Sequence, residues 1–160
     1  MPTFVAGLPV HPLVVHAVVV LVPLAVLGTI AIAVWPWARR RFGWLAVAVA
    51  AVATASIPVA TSTGEGLAGH VQHSAQLDRH MQLGGQLLPF AAAMFGAALL
   101  FQLLHASGRV GRGMAVRVAA VALAVVTVAG AVASGVQVVR IGDAGARAVW
   151  SSGTASTDSR

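Results

Sequence analysis

From its N-terminus to Arg39 the chain carries no Asp, Glu, Lys or Arg. Within that stretch Leu13 to Val34 is almost wholly apolar, and about 22 helical residues reach about 33 Å, enough to cross the hydrocarbon core of a bilayer. Three more such runs follow, at about 45–61, 84–104 and 118–139. In lipid every backbone polar group needs an internal partner, so unbroken apolar runs of this length read as helices. The chain is therefore expected to be all-α, an integral membrane four-helix bundle of up-down-up-down topology. Residues 1–150 form its single transmembrane domain, and the Ser/Thr/Gly-rich stretch 151–160 is expected to be a disordered tail.

Composition removes the alternatives. Hydrophobic residues make up 58% of the chain and charged residues 9%. With a mean hydropathy of +0.87, a water-soluble domain is excluded. There is no Cys, which excludes disulfides, thiolate chemistry and cysteine-ligated zinc or iron–sulfur sites. The net charge of +6 comes from Arg alone. In a membrane chain such an excess sets orientation, so the bilayer is the expected partner and nucleic acid is not. No cleavable leader is evident: the first residues lack a basic stretch, and the first apolar run is long enough to span.

Arg39, Arg40, Arg41, Arg109, Arg112 and Arg117 fall in the two short connections without any acid, which predicts those connections to be cytoplasmic. Trp35, Trp37 and Trp44 beside the first cluster suit a membrane–water boundary. Glu65, Asp78, Asp143 and Asp158 all fall on the other side, where both termini are expected to lie. Small residues four apart (Ala92 and Gly96, Gly130 and Ser134, Ala131 and Gly135) would let the helices approach closely. Pro12 is expected to start the first helix, leaving His11 just outside it, and Pro23 and Pro89 to kink the first and third spans. Residues 62–83 read as a long polar connection.

Five of the six histidines lie on the side of the termini, and only His105 lies opposite. An antiparallel bundle brings His11, His16, Glu65, His80 and Asp143 to about one depth. An imidazole among apolar residues needs a polar partner. Three readings answer that need. His16 and His80, from two facing helices, would be axial ligands of haem b. His11, His16, Glu65, His80 and Asp143 would supply ligands for a divalent metal, since imidazole with carboxylate suits zinc, copper, nickel or iron. Or the same side chains bond to backbone and to Glu65, and only tie the polar connection to the bundle. His70 and His73, three apart, read as a hydrated surface pair. Gly64-Glu65-Gly66 is no phosphate loop, because no Lys follows it. Nothing resembles a nucleophile with its base, so no catalytic arrangement argues for an enzyme or transporter, and both stay open.

Three stretches carry a family likeness: His11-Pro12-Leu13-Val14-Val15-His16; Thr63-Gly64-Glu65 with His80-Met81-Gln82-Leu83-Gly84; and Val139-Arg140-Ile141-Gly142-Asp143 running on to Trp150. On these the chain resembles a bacterial membrane family, domain of unknown function 2231. The resemblance implies four spans with histidines on the outward side, and a redox or haem association, since related domains occur fused to cytochrome c modules. Family members often carry His where this chain has Asp143. The reading is thus a bacterial inner-membrane protein whose outward His/Glu pocket binds haem b or a metal ion and serves electron transfer, with redox proteins or a second copy as partners. The alternative is a structural or regulatory membrane subunit.

Overall fold

The computed structural model describes residues 4–5, 8–68, 74–110 and 113–154. Two short strands, β1 (Phe4–Val5) and β2 (Leu8–Pro9), pair antiparallel ahead of the helices. The rest is α1 (Val10–Val34), α2 (Pro36–Ala68), α3 (Ala75–Gly85), α4 (Leu87–Ala106) and α5 (Met114–Thr154). Four stretches are long and apolar enough to cross a membrane: Leu13–Val34, Pro36–Gly66, Ala75–Ala106 and Met114–Arg147.

α1, α2 and α5 outrun the apolar stretches that signal them, whereas the third stretch is interrupted at Gln86. α1 begins at Val10, so His11 lies within it and Pro12 takes its third position rather than its first. That place is still in the opening turn, where proline's missing N–H costs no bond. Trp35 alone separates α1 from α2, and the Arg39 N–H bonds to the Trp35 carbonyl at 3.0 Å, so the arginine cluster is helical rather than looped. At its far end α2 takes in residues expected to be connection. Ser62 and Thr63 donate their hydroxyls to carbonyls three or four residues back, which satisfies them in place.

The remaining connection is itself partly helical. Ser74 caps α3 by accepting the Leu77 N–H at 3.2 Å. The helix then breaks at Gln86, after Gly84 and Gly85. Pro89 consequently falls in the first turn of α4, where it kinks nothing, contrary to expectation. No proline stops α5, which continues through 151–154, expected to be disordered tail; the last six residues of that tail lie outside the described ones.

The centre of the bundle is built from small side chains. Val22, Ala25, Ala50, Ala53, Ala91, Met94 and Ala131 are all 0% exposed. A Cβ on Gly130 would lie 3.0 Å from the backbone N and Cα of Met94, so α4 and α5 touch main chain to main chain there. Thr29, Thr127 and Ser134 are wholly buried. Each donates to the carbonyl four residues back, at 2.7–2.8 Å. The outside is the reverse of a soluble surface: Leu27, Val121, Val125 and Val139 are each more than 60% exposed.

Contacts step in opposite senses along neighbouring helices. Thr54 donates to Ala91 O, while Arg39, at the start of α2, lies over Phe101, near the end of α4. Gln137 meets Leu83, whereas the earlier Gly130 meets Met94. The arginine end is also secured by bonds of its own. Arg39 donates to the Ile32 carbonyl at 3.2 Å, and His105 Nδ1 donates to the Phe101 carbonyl at 2.8 Å.

Candidate functional site

A chamber of about 390 Å³ lies between α1, α2, α3 and α5, at the end of the molecule away from Arg39. Its wall is largely apolar, with Val18, Ile57, Met81, Leu87, Val138 and Ile141 among the lining side chains. Glycines on α2, α3 and α5 (Gly64, Gly84, Gly142) leave room that larger residues would fill. The histidine and the carboxylate that also line it are His80 and Glu65. That is the usual make-up of a ligand pocket: a few hundred Å³, mostly apolar, with a small number of polar groups to orient what enters.

His80 is held in a defined way. Its Nδ1 lies 3.0 Å from the carbonyl oxygen of Ile141 on α5. A carbonyl only accepts, so Nδ1 carries a proton, and Nε2 is the ring nitrogen left to meet a ligand. Histidines that bind metals are commonly fixed by just such a bond from the other ring nitrogen. The approach is permitted by Gly145, where a Cβ would stand 3.1 Å from Nδ1 and 3.2 Å from Cε1. Gln137 adds a second tie between α5 and α3. It is 3% exposed and donates through Nε2 to the Leu83 carbonyl at 2.9 Å.

The remaining sequence candidates fall elsewhere. His16 is exposed and does not line the chamber, although Val15, Val18 and Val19 around it do. A bis-histidine haem site needs both rings on one cavity, and of the two only His80 lines this one. Asp143 is exposed, and both of its carboxylate oxygens take the Arg147 Nε–H at 3.1 Å, outside the chamber. The side chain of His11, and His70 and His73 altogether, lie outside the described residues. Among the described residues no group of three His, Asp or Glu converges as a metal ion would need.

Comparison with known families now bears on the chain as a whole. Residues 7–158 match the family described as predicted membrane protein, DUF2231. The chain belongs to that family. No curated protein and no solved structure matches it. The DUF2231 match covers all five helices as well as the stretches that line the chamber. Family membership thus agrees with the apolar helices and assigns no ligand.

Sequence reading missed Gln137 and Gly145. Gln137 was legible in principle, being a lone amide at the end of an apolar run. The Ile141 carbonyl that anchors His80 has no signature in any sequence, because every residue offers one.

Proposed function

We propose that this DUF2231 protein binds a small, mostly apolar molecule in the chamber and holds it through His80 Nε2. The supporting observation is the Nδ1–Ile141 bond, which holds one imidazole in place and leaves its Nε2 for a ligand in a largely apolar cavity. A ligand that suits this wall is an apolar ring or chain bearing one hydrogen-bond donor or one metal centre. Haem b would offer its macrocycle to this wall and its iron to His80 as the single protein ligand, while its two propionates, which Glu65 would repel, would have to lie in the headgroup region; with it the role would be electron transfer to redox proteins. Glu65, exposed at the rim, would neutralise or bond a polar group left at the entrance. In this reading the protein sits in the bacterial inner membrane with both termini outward, and the acid-free arginines around the two short connections support that orientation.

A second reading has an observation of its own. The Ile141 and Leu83 bonds pin α3 to α5 whether or not the chamber is filled. In that case the cluster is a fastening in a structural subunit.

Purification in mild detergent followed by absorption spectroscopy separates the two. A bound haem shows a Soret band that His80→Ala abolishes, and added haem restores it only in the unaltered chain. Any other ligand appears as an adduct in native mass spectrometry, lost in the same variant. A chain that carries no adduct, takes up no haem and merely melts lower on His80→Ala supports the fastening instead.

A further inference from the structure

A second recess, on the other side of the α3–α5 contact, has the opposite chemistry. It measures about 420 Å³ and is lined by Arg79 and Gln76 from α3 and by Arg140, Asp143 and Arg147 from α5. Three guanidiniums therefore share one cleft with one carboxylate. Asp78, the other acid on α3, does not line it.

The charges are arranged as well as gathered. Asp143 accepts from Arg147 through Nε only, at 3.1 Å to each oxygen. That contact takes one donor of the guanidinium and leaves the two terminal amino groups for another partner. Both side chains are well exposed, at 72% and 60%, so the pair adds little stability, and its consequence is where it puts the guanidinium. Neither Arg79 nor Arg140 makes an ion pair with any described residue. Ala75 and Gln76, the opening residues of α3, also line the cleft, and the unpaired N–H groups of a helix start favour an anion.

We infer that the α3–α5 cleft is an anion site that binds a phosphate-type group through Arg79, Arg140 and Arg147. Asp143 is a positioning residue for Arg147 rather than a metal ligand. Guanidinium forks match the oxygen spacing of phosphate and hold it with paired hydrogen bonds. A dissolved phosphate compound and the headgroup of an anionic lipid present that same group. The inference is independent of what the chamber holds, since the two recesses share no side chain.

The test uses the whole chain in lipid nanodiscs. In phosphatidylcholine discs, inorganic phosphate is titrated by calorimetry. In a second arm, native mass spectrometry compares retention of phosphatidylglycerol with that of phosphatidylcholine. Saturable phosphate binding that weakens at least tenfold in Arg79→Gln/Arg140→Gln supports the site with a dissolved ligand. Preferential phosphatidylglycerol retention that the same variant loses supports it with a lipid headgroup. Arginine-dependent binding in neither arm overturns the proposal. Asp143→Asn supplies the sharper check, because it makes the cleft more positive while releasing Arg147. A held guanidinium predicts weaker binding by threefold or more; tighter binding would mean diffuse attraction and no built site. All three substitutions alter exposed side chains, so unchanged melting temperatures confirm that the fold is intact.

Discussion

Two glycines on α5, Gly130 and Gly145, both stand where a Cβ would be crowded, yet they face different things. At Gly130 the neighbour is the main chain of Met94, with N and Cα 3.0 Å away. At Gly145 the neighbour is the ring of His80, 3.1 Å away at Nδ1. A backbone in a packed helix cannot retreat without moving the helix, whereas an imidazole turns about its own torsions. The centre of the bundle uses small residues to bring helices together. The His80 end uses them to seat one side chain and to leave a chamber beside it.

The comparison is sharpest at the centre. Gly130→Val should force α4 and α5 apart and destabilise the chain by about 1–3 kcal/mol, the range of overpacked cores. Thermal melting in detergent reads it, and an unchanged melting temperature would show that the close approach carries no weight. Gln137→Ala comes next. It removes the amide that bonds the Leu83 carbonyl, a carbonyl that also accepts the Gln86 N–H at 3.2 Å. With that second donor remaining, the loss should be about 0.6–1 kcal/mol, as for interhelical bonds in membranes. Hydrogen exchange should quicken in α3 while the α4–α5 core stays protected; equal quickening in both would blur the distinction between the two regions. Gly145→Ala should change stability least. The displaced His80 loses one hydrogen bond, and alanine returns up to about 1 kcal/mol of helix propensity. Its effect should appear in ligand binding, which falls as the ring leaves Ile141, and binding that stays intact would contradict the proposed role of that bond.

How much of this was legible follows from what the residues announce. Absence of charge announces a span, and the first run, Leu13–Val34, coincides with the first candidate span of the structure. Arg39–Arg41 and Ser62–Thr63 announce polarity, which was read as loop. Helices carry both, because arginine at a span end reaches toward water and a helical hydroxyl bonds to its own turn. His80 could be singled out because it opens the third apolar run. His16 was placed beside it on the strength of depth alone. α1 is apolar on nearly every side, so no periodicity shows which face turns inward, and packing sets that rotation instead. Asp143 was grouped with the histidines for the same reason, while its (i, i+4) arginine, Arg147, was in plain view.

The central claim is that the apolar chamber is a ligand site governed by His80 and indifferent to His16. Native mass spectrometry of the chain released from lipid nanodiscs tests it directly, comparing the unaltered protein with His80→Ala and His16→Ala. The account predicts a small-molecule adduct on the unaltered chain and on His16→Ala, and none on His80→Ala. An adduct that survives His80→Ala, or one that depends on His16, would contradict it.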